Sequence, residues 1–105
     1  VLESQLAPVL LQILCSNTGL VLWRNAAGYD TERRVKYGLA PGSGDYVGCY
    51  KGRYVEVETK AATGRLSAAQ QSRRALLTRL GCVYAVVRSA EDARELLEFL
   101  RSGAP

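Results

Sequence analysis

The sequence predicts an α/β domain, a mixed central sheet flanked by helices in the order α-β-β-β-β-α-β-α. Three observations carry that expectation. Residues 53–60, Arg-Tyr-Val-Glu-Val-Glu-Thr-Lys, alternate as a strand does. Residues 82–88, Cys-Val-Tyr-Ala-Val-Val-Arg, form a β-branched run without alternation, as in a strand covered on both faces. Apolar residues at helical spacing stand near both ends of the chain. A length of 105 residues suffices for one compact domain, 1–105, with one modest core.

The elements follow in order. Leu6, Val9, Leu10, Ile13 and Leu14 mark an amphipathic first helix, with Pro8 expected in or near its first turn. Turn chemistry at residues 16–19 ends it, and residues 20–25 read as a strand. A loop at 26–32 leads to a second strand at 33–38, expected near a sheet edge because of its charges. After a Pro-Gly-Ser-Gly loop come a strand at 45–50, a tight Lys51-Gly52 turn and the partner strand at 53–60. Ser67 starts a helix with Gln70 at capping-box spacing, Leu76, Leu77 and Leu80 as its buried residues, and Gly81 as its end. The strand at 82–88 is expected to lie parallel to a neighbour. Ser89 caps the closing helix, acids occupy its first turn, and Gly103 ends it.

Composition narrows the chemistry. The net charge of +4 and pI near 9.2 lean towards polyanionic partners. The absence of His removes Ser-His-Asp and Cys-His catalysis and His-metal nucleases. Cys15, Cys49 and Cys82 form no CxxC and stand among apolar residues, which predicts buried free thiols and a reducing, cytoplasmic setting without structural zinc. The apolar run at residues 6–15 is half of the ~20 residues that a membrane helix needs, and it lacks signal-peptide flanks, so no membrane association is expected. Any metal would take oxygen ligands, which points to Mg²⁺ or Mn²⁺.

The strand at 53–60 holds the most informative pattern. Val55, Val57 and Thr59 share one side; Tyr54, Glu56, Glu58 and Lys60 share the other. A solvated sheet face is one reading and a catalytic site is the other. Glu58 and Lys60 project side by side, and Asp45, at the start of the preceding strand, can lie opposite them in the hairpin. Converging carboxylates repel unless a cation sits between them. The lysine beside them could hold or deprotonate a water, or stabilise developing negative charge. In outline this is a metal-dependent phosphodiesterase site.

The segments at residues 42–48 (GSGDYVG), 52–60 (GRYVEVETK) and 64–70 (GRLSAAQ) resemble the PD-(D/E)xK nuclease core. With residues 23–29 (WRNAAGY), 35–43 (VKYGLAPGS) and 86–97 (VVRSAEDARELL), they are similar to the virus-type replication-repair nuclease family, VRR-NUC, over nearly the whole chain. The resemblance implies a restriction-endonuclease-like core. It implies Asp45 as the metal-binding acid, Glu58 and Lys60 as the ExK pair, Gln70 beside the active site, and Glu3 as an early helix acid on the metal. The Thr59 backbone carbonyl is a further metal ligand in that scheme. Three positions depart from the pattern: Gly44 where Pro is frequent, Thr59 where an aliphatic residue is frequent, and Glu56 where relatives tend to be apolar.

The expected activity is Mg²⁺- or Mn²⁺-dependent hydrolysis of branched or structured DNA, similar to that of Holliday-junction resolvases. The alternative is a nucleic-acid-binding module that keeps the fold and cleaves nothing. The resemblance also implies a homodimer; its interface is expected to use apolar surface left outside the core, on the strand carrying Val35 and Tyr37. Arg33, Arg34, Lys36, Lys51, Arg53, Arg73, Arg74 and Arg79 are solvated charges available to phosphates in this reading, with DNA shape rather than base sequence recognised. Trp23 is expected in the core.

Overall fold

The structure, a computed structural model, describes the backbone of residues 3–105 and the side chains of residues 6–105. Its elements run α1 (Glu3–Cys15), β1 (Val21–Arg24), β2 (Gly28–Asp30), β3 (Val35–Tyr37), β4 (Tyr46–Tyr50), β5 (Arg53–Thr59), α2 (Ala68–Arg79), β6 (Val83–Val87) and α3 (Ala90–Ser102). The protein is a mixed α/β fold. Its main sheet has the order β1-β4-β5-β6, antiparallel across the first two pairs and parallel between β5 and β6. The crossover through α2 makes that parallel pair possible.

The β4–β5 hairpin is the frame. Tyr50 pairs with Arg53 across Lys51-Gly52, both at positive φ, as a two-residue type I′ turn requires. That turn fixes the register, and the register fixes which side chains share a face. Val55 and Val57 enter the core with Leu10 and Leu14 of α1 and Leu96, Leu97 and Leu100 of α3. Each such buried aliphatic side chain contributes about 1.5–3 kcal/mol relative to exposure. Helices α1 and α3 thus cover one face of the sheet. Helix α2 lies against β6 and reaches Glu56 and Glu58 on the other face through Arg73 and Gln70.

Several expectations need correction. The strand expected at 33–38 is only Val35–Tyr37, and it does not join the main sheet. It pairs with β2, in the segment read as a loop, to form a separate two-stranded ribbon. Three-residue strands carrying charges show too little alternation to be read. Pro8 lies inside α1 rather than in its first turn, because the helix already starts at Glu3. Leu80 is 65% exposed and Leu77 is the buried residue of α2, so the expected apolar face of that helix shrinks. Trp23 is 56% exposed on the edge strand β1, outside the core. The cysteines are free, but none is fully buried: Cys15 and Cys82 are half-buried and Cys49 is exposed. Among the described residues no helix is long and apolar enough to cross a membrane.

Candidate active site

The hairpin brings Asp45 and Glu58 to the same end of β4 and β5. Tyr46 faces Val57, so Asp45 and Glu58 stand one step beyond that pair. The Asp45 carboxylate accepts two hydrogen bonds from Thr59, 3.2 Å from its N–H and 2.9 Å from its hydroxyl. Asp45 and Glu58 therefore bracket Thr59, one bonded to it and the other next to it in the chain. The register sets the two residues opposite each other, but their carboxylates have separate partners: Asp45 rests on Thr59, and Glu58 on Gln70 and Lys60.

Glu58 is 4% exposed. Its Oε1 accepts the Gln70 side-chain amide at 2.8 Å and lies 3.9 Å from Lys60 Nζ. Gln70 reaches it because the first turn of α2 is fixed by a capping box. Ser67 Oγ accepts the Gln70 N–H, and Gln70 Oε1 accepts the Ser67 N–H. Gln70 thus both caps α2 and contacts Glu58. Glu3 opens α1, and its side chain lies outside the described residues.

Asp45 faces a cleft of about 390 Å³ lined by Ala7, Pro8, Arg24, Asn25, Tyr46 and Thr59 as well. Arg24 puts an exposed cation beside the acid. Asn25 anchors the loop that leads into Asp45: its side-chain amide donates to the Gly44 carbonyl at 3.1 Å, and its N–H donates to the Asp45 carbonyl at 2.8 Å. Sequence reading missed both residues as site components. Their signal was faint, an Arg-Asn pair at the end of a short strand.

Glu56, which departs from the family pattern, is expected from sequence to be structural or a minor supporting group. It is fully buried at 0% exposure and accepts four hydrogen bonds. The Gly44 N–H reaches Oε1 at 2.9 Å, Tyr54 Oη donates to Oε2 at 2.6 Å, and Arg73 donates to both oxygens at 3.3 and 2.7 Å. Burial pushes the Glu56 carboxyl up, but bonds from Arg73, Tyr54 and Gly44 outweigh it and hold it below the usual range. The Tyr54 hydroxyl is pushed up to about 12, by burial first and then by Glu56. Arg73 is therefore sequestered, contrary to its expected role as a free phosphate contact. Arg53 is corrected likewise: it bonds the Gly81 and Ala104 carbonyls and stacks over Phe99.

Tyr84, opposite Glu56 on β6, donates to the Gly42 carbonyl at 3.0 Å. Burial raises its hydroxyl pKa first, and the charges of Glu58, Glu56 and Asp45 raise it further. Among the described residues no group of three or more Asp, Glu, His or Cys side chains is spaced to cage a metal. Mg²⁺ does not need such a cage, because it binds through one or two carboxylates and keeps several waters. Asp45 and Glu58 are oxygen donors of the kind such an ion takes, and Asp45 lines the cleft with Thr59.

The chain matches no family model and no curated protein.

Proposed function

We propose that this protein is a Mg²⁺- or Mn²⁺-dependent DNA endonuclease of the PD-(D/E)xK type, similar to the VRR-NUC family and acting on branched DNA. The observation that carries the reading is the arrangement of Asp45, Glu58 and Lys60 around Thr59, with Glu58 buried beside Lys60. A purely structural sheet has little use for a carboxylate held this way, since burying it costs free energy that its partners must offset. The order of one helix, a hairpin-containing antiparallel sheet, a crossover helix and a parallel strand also suits a restriction-endonuclease-like core.

In this reading Asp45 and Glu58 hold the ion, with the Thr59 carbonyl and Glu3 as further ligands. Bound there, Mg²⁺ or Mn²⁺ would supply Lewis-acid activation of water and charge neutralisation at the phosphate. Lys60 stabilises negative charge developing on the phosphoryl oxygens. Gln70 fixes the Glu58 carboxylate, and Arg24 draws the DNA backbone towards the Asp45 cleft. A junction needs two cuts, and two copies related by a two-fold axis would supply two sites. Val35 and Tyr37, each 53% exposed on the ribbon, give such a dimer apolar surface outside the core. A cytoplasmic setting accords with the free cysteines.

The test is a gel of end-labelled duplex, flap and four-way-junction DNA with Mn²⁺ and with EDTA. Metal-dependent cutting of the branched substrates is the expected result. Retarded bands with no cleavage would replace the enzyme reading with a binding module.

A further inference from the structure

Glu56 links the loop before Asp45 to helix α2, and nothing in the proposed chemistry uses it. Through Gly44 it holds the residue immediately before Asp45. Through Arg73 it holds α2, whose Gln70, one turn earlier, holds Glu58. Glu56 itself lies two residues before Glu58 on β5. The Gly44–Asp45 backbone is thus gripped by Glu56 from the sheet and by Asn25 just after β1, while Asp45's own carboxylate rests on Thr59.

We propose that Glu56 and Arg73 are positioning residues that set the placement of Asp45 against Glu58. The assignment rests on the nuclease reading of those two acids. A buried ion pair is a poor way to gain stability, because apolar residues of similar volume often serve as well or better. Its use becomes intelligible when both partners carry geometry elsewhere. Here one end of the pair fixes the loop that delivers Asp45, and the other fixes the helix that delivers Gln70. The two-point contact matters, since Arg73 approaches both Glu56 oxygens and leaves the side chain little rotational freedom.

The experiment replaces both charges at once, Glu56→Met with Arg73→Met, so that no unpaired charge is left buried. Four quantities are compared with the parent: thermal midpoint, exchange of the Gly44 amide by NMR, Mn²⁺ affinity by electron paramagnetic resonance, and single-turnover cleavage. The double variant should stay folded and exchange the Gly44 amide faster. Its Mn²⁺ affinity and cleavage rate should fall about 10- to 100-fold, as when a supporting partner of a metal ligand is lost. DNA affinity in Ca²⁺ should not change. A folded double variant with parental Mn²⁺ affinity and rate overturns the positioning role and leaves the nuclease reading standing. A parent that neither binds Mn²⁺ nor cuts DNA overturns the nuclease reading itself, and this assignment with it. Arg73→Lys, which keeps one charge-assisted bond, guards against a double variant that does not fold. An intermediate loss of turnover with unchanged KM supports the role, and parental turnover overturns it.

Discussion

Gln70 donates to Glu58 through its amide nitrogen while its amide oxygen accepts the N–H of Ser67, both at 2.8 Å. Helix initiation and placement of the candidate acid therefore share one side chain. The two roles separate by mutation. Ser67→Ala should cost about 1 kcal/mol of stability, as loss of an N-cap does, and leave cleavage nearly unchanged. Gln70→Ala should cost a similar amount and also slow cleavage, because Glu58 loses its restraint. Denaturation curves and single-turnover rates measured side by side distinguish them; equal rates in both variants would confine Gln70 to capping.

Asp45→Asn and Lys60→Ala should each lower the cleavage rate by about 100-fold or more while DNA affinity stays nearly constant. Asparagine keeps the size of Asp45 and an oxygen for the Thr59 bonds, so its effect reports charge rather than packing. Filter binding in Ca²⁺ and gel cleavage in Mn²⁺ measure the two quantities. Full activity in either variant sinks the site assignment.

Metal exchange is an independent check. Mg²⁺ and Mn²⁺ should support cutting, whereas Ca²⁺, larger and looser in geometry, should allow binding with little turnover. Undiminished cutting in excess EDTA would exclude a metal-dependent mechanism.

Stability hinges on an unexpected position. A Cβ at Gly48 would lie 1.7 Å from the Val21 carbonyl oxygen across the β1–β4 pair. Both partners there are backbone, so neither can swing away. Gly48→Ala should part β1 from β4 and cost on the order of 3 kcal/mol, the upper range for an overpacked site. Urea titration would show it; a midpoint equal to the parent's would mean that β1 is held less closely.

Light scattering at micromolar concentration should give twice the monomer mass, and Tyr37→Glu should shift it to the monomer by placing a charge on the proposed interface. A parent protein that stays monomeric would favour a nuclease that nicks one strand over one that makes paired cuts.

What could be read from sequence was local. The Lys51-Gly52 turn, the alternation of residues 53–60 and the Ser67–Gln70 box are each encoded within a few residues, and each forms as expected. The hairpin register sets Asp45 opposite Glu58, as its sequence position implies, whereas the bonds of Asp45 to Thr59 have no counterpart in that reading. The Glu56–Arg73 pair spans a loop and a helix start, so no spacing rule points to it; Arg73 looked like any solvated helix cation. Trp23 misled because large aromatic residues usually bury, yet α2 lies over β6 at the far edge of the sheet from β1. The ribbon was missed because its two strands are three residues each.

Helix α2 buries a single residue, Leu77, and sends Arg73 and Gln70 to carboxylates of the sheet, so a substantial part of its attachment is ionic and polar. Lifting it away would uncover little apolar surface, and a denaturant's leverage scales with the surface exposed. Urea should therefore barely promote that partial opening. Guanidinium chloride, which is itself a salt and chemically akin to the Arg73 head group, should release the helix well below the concentration that unfolds the β4–β5 hairpin. The two denaturants would report different numbers of cooperative steps for the same chain.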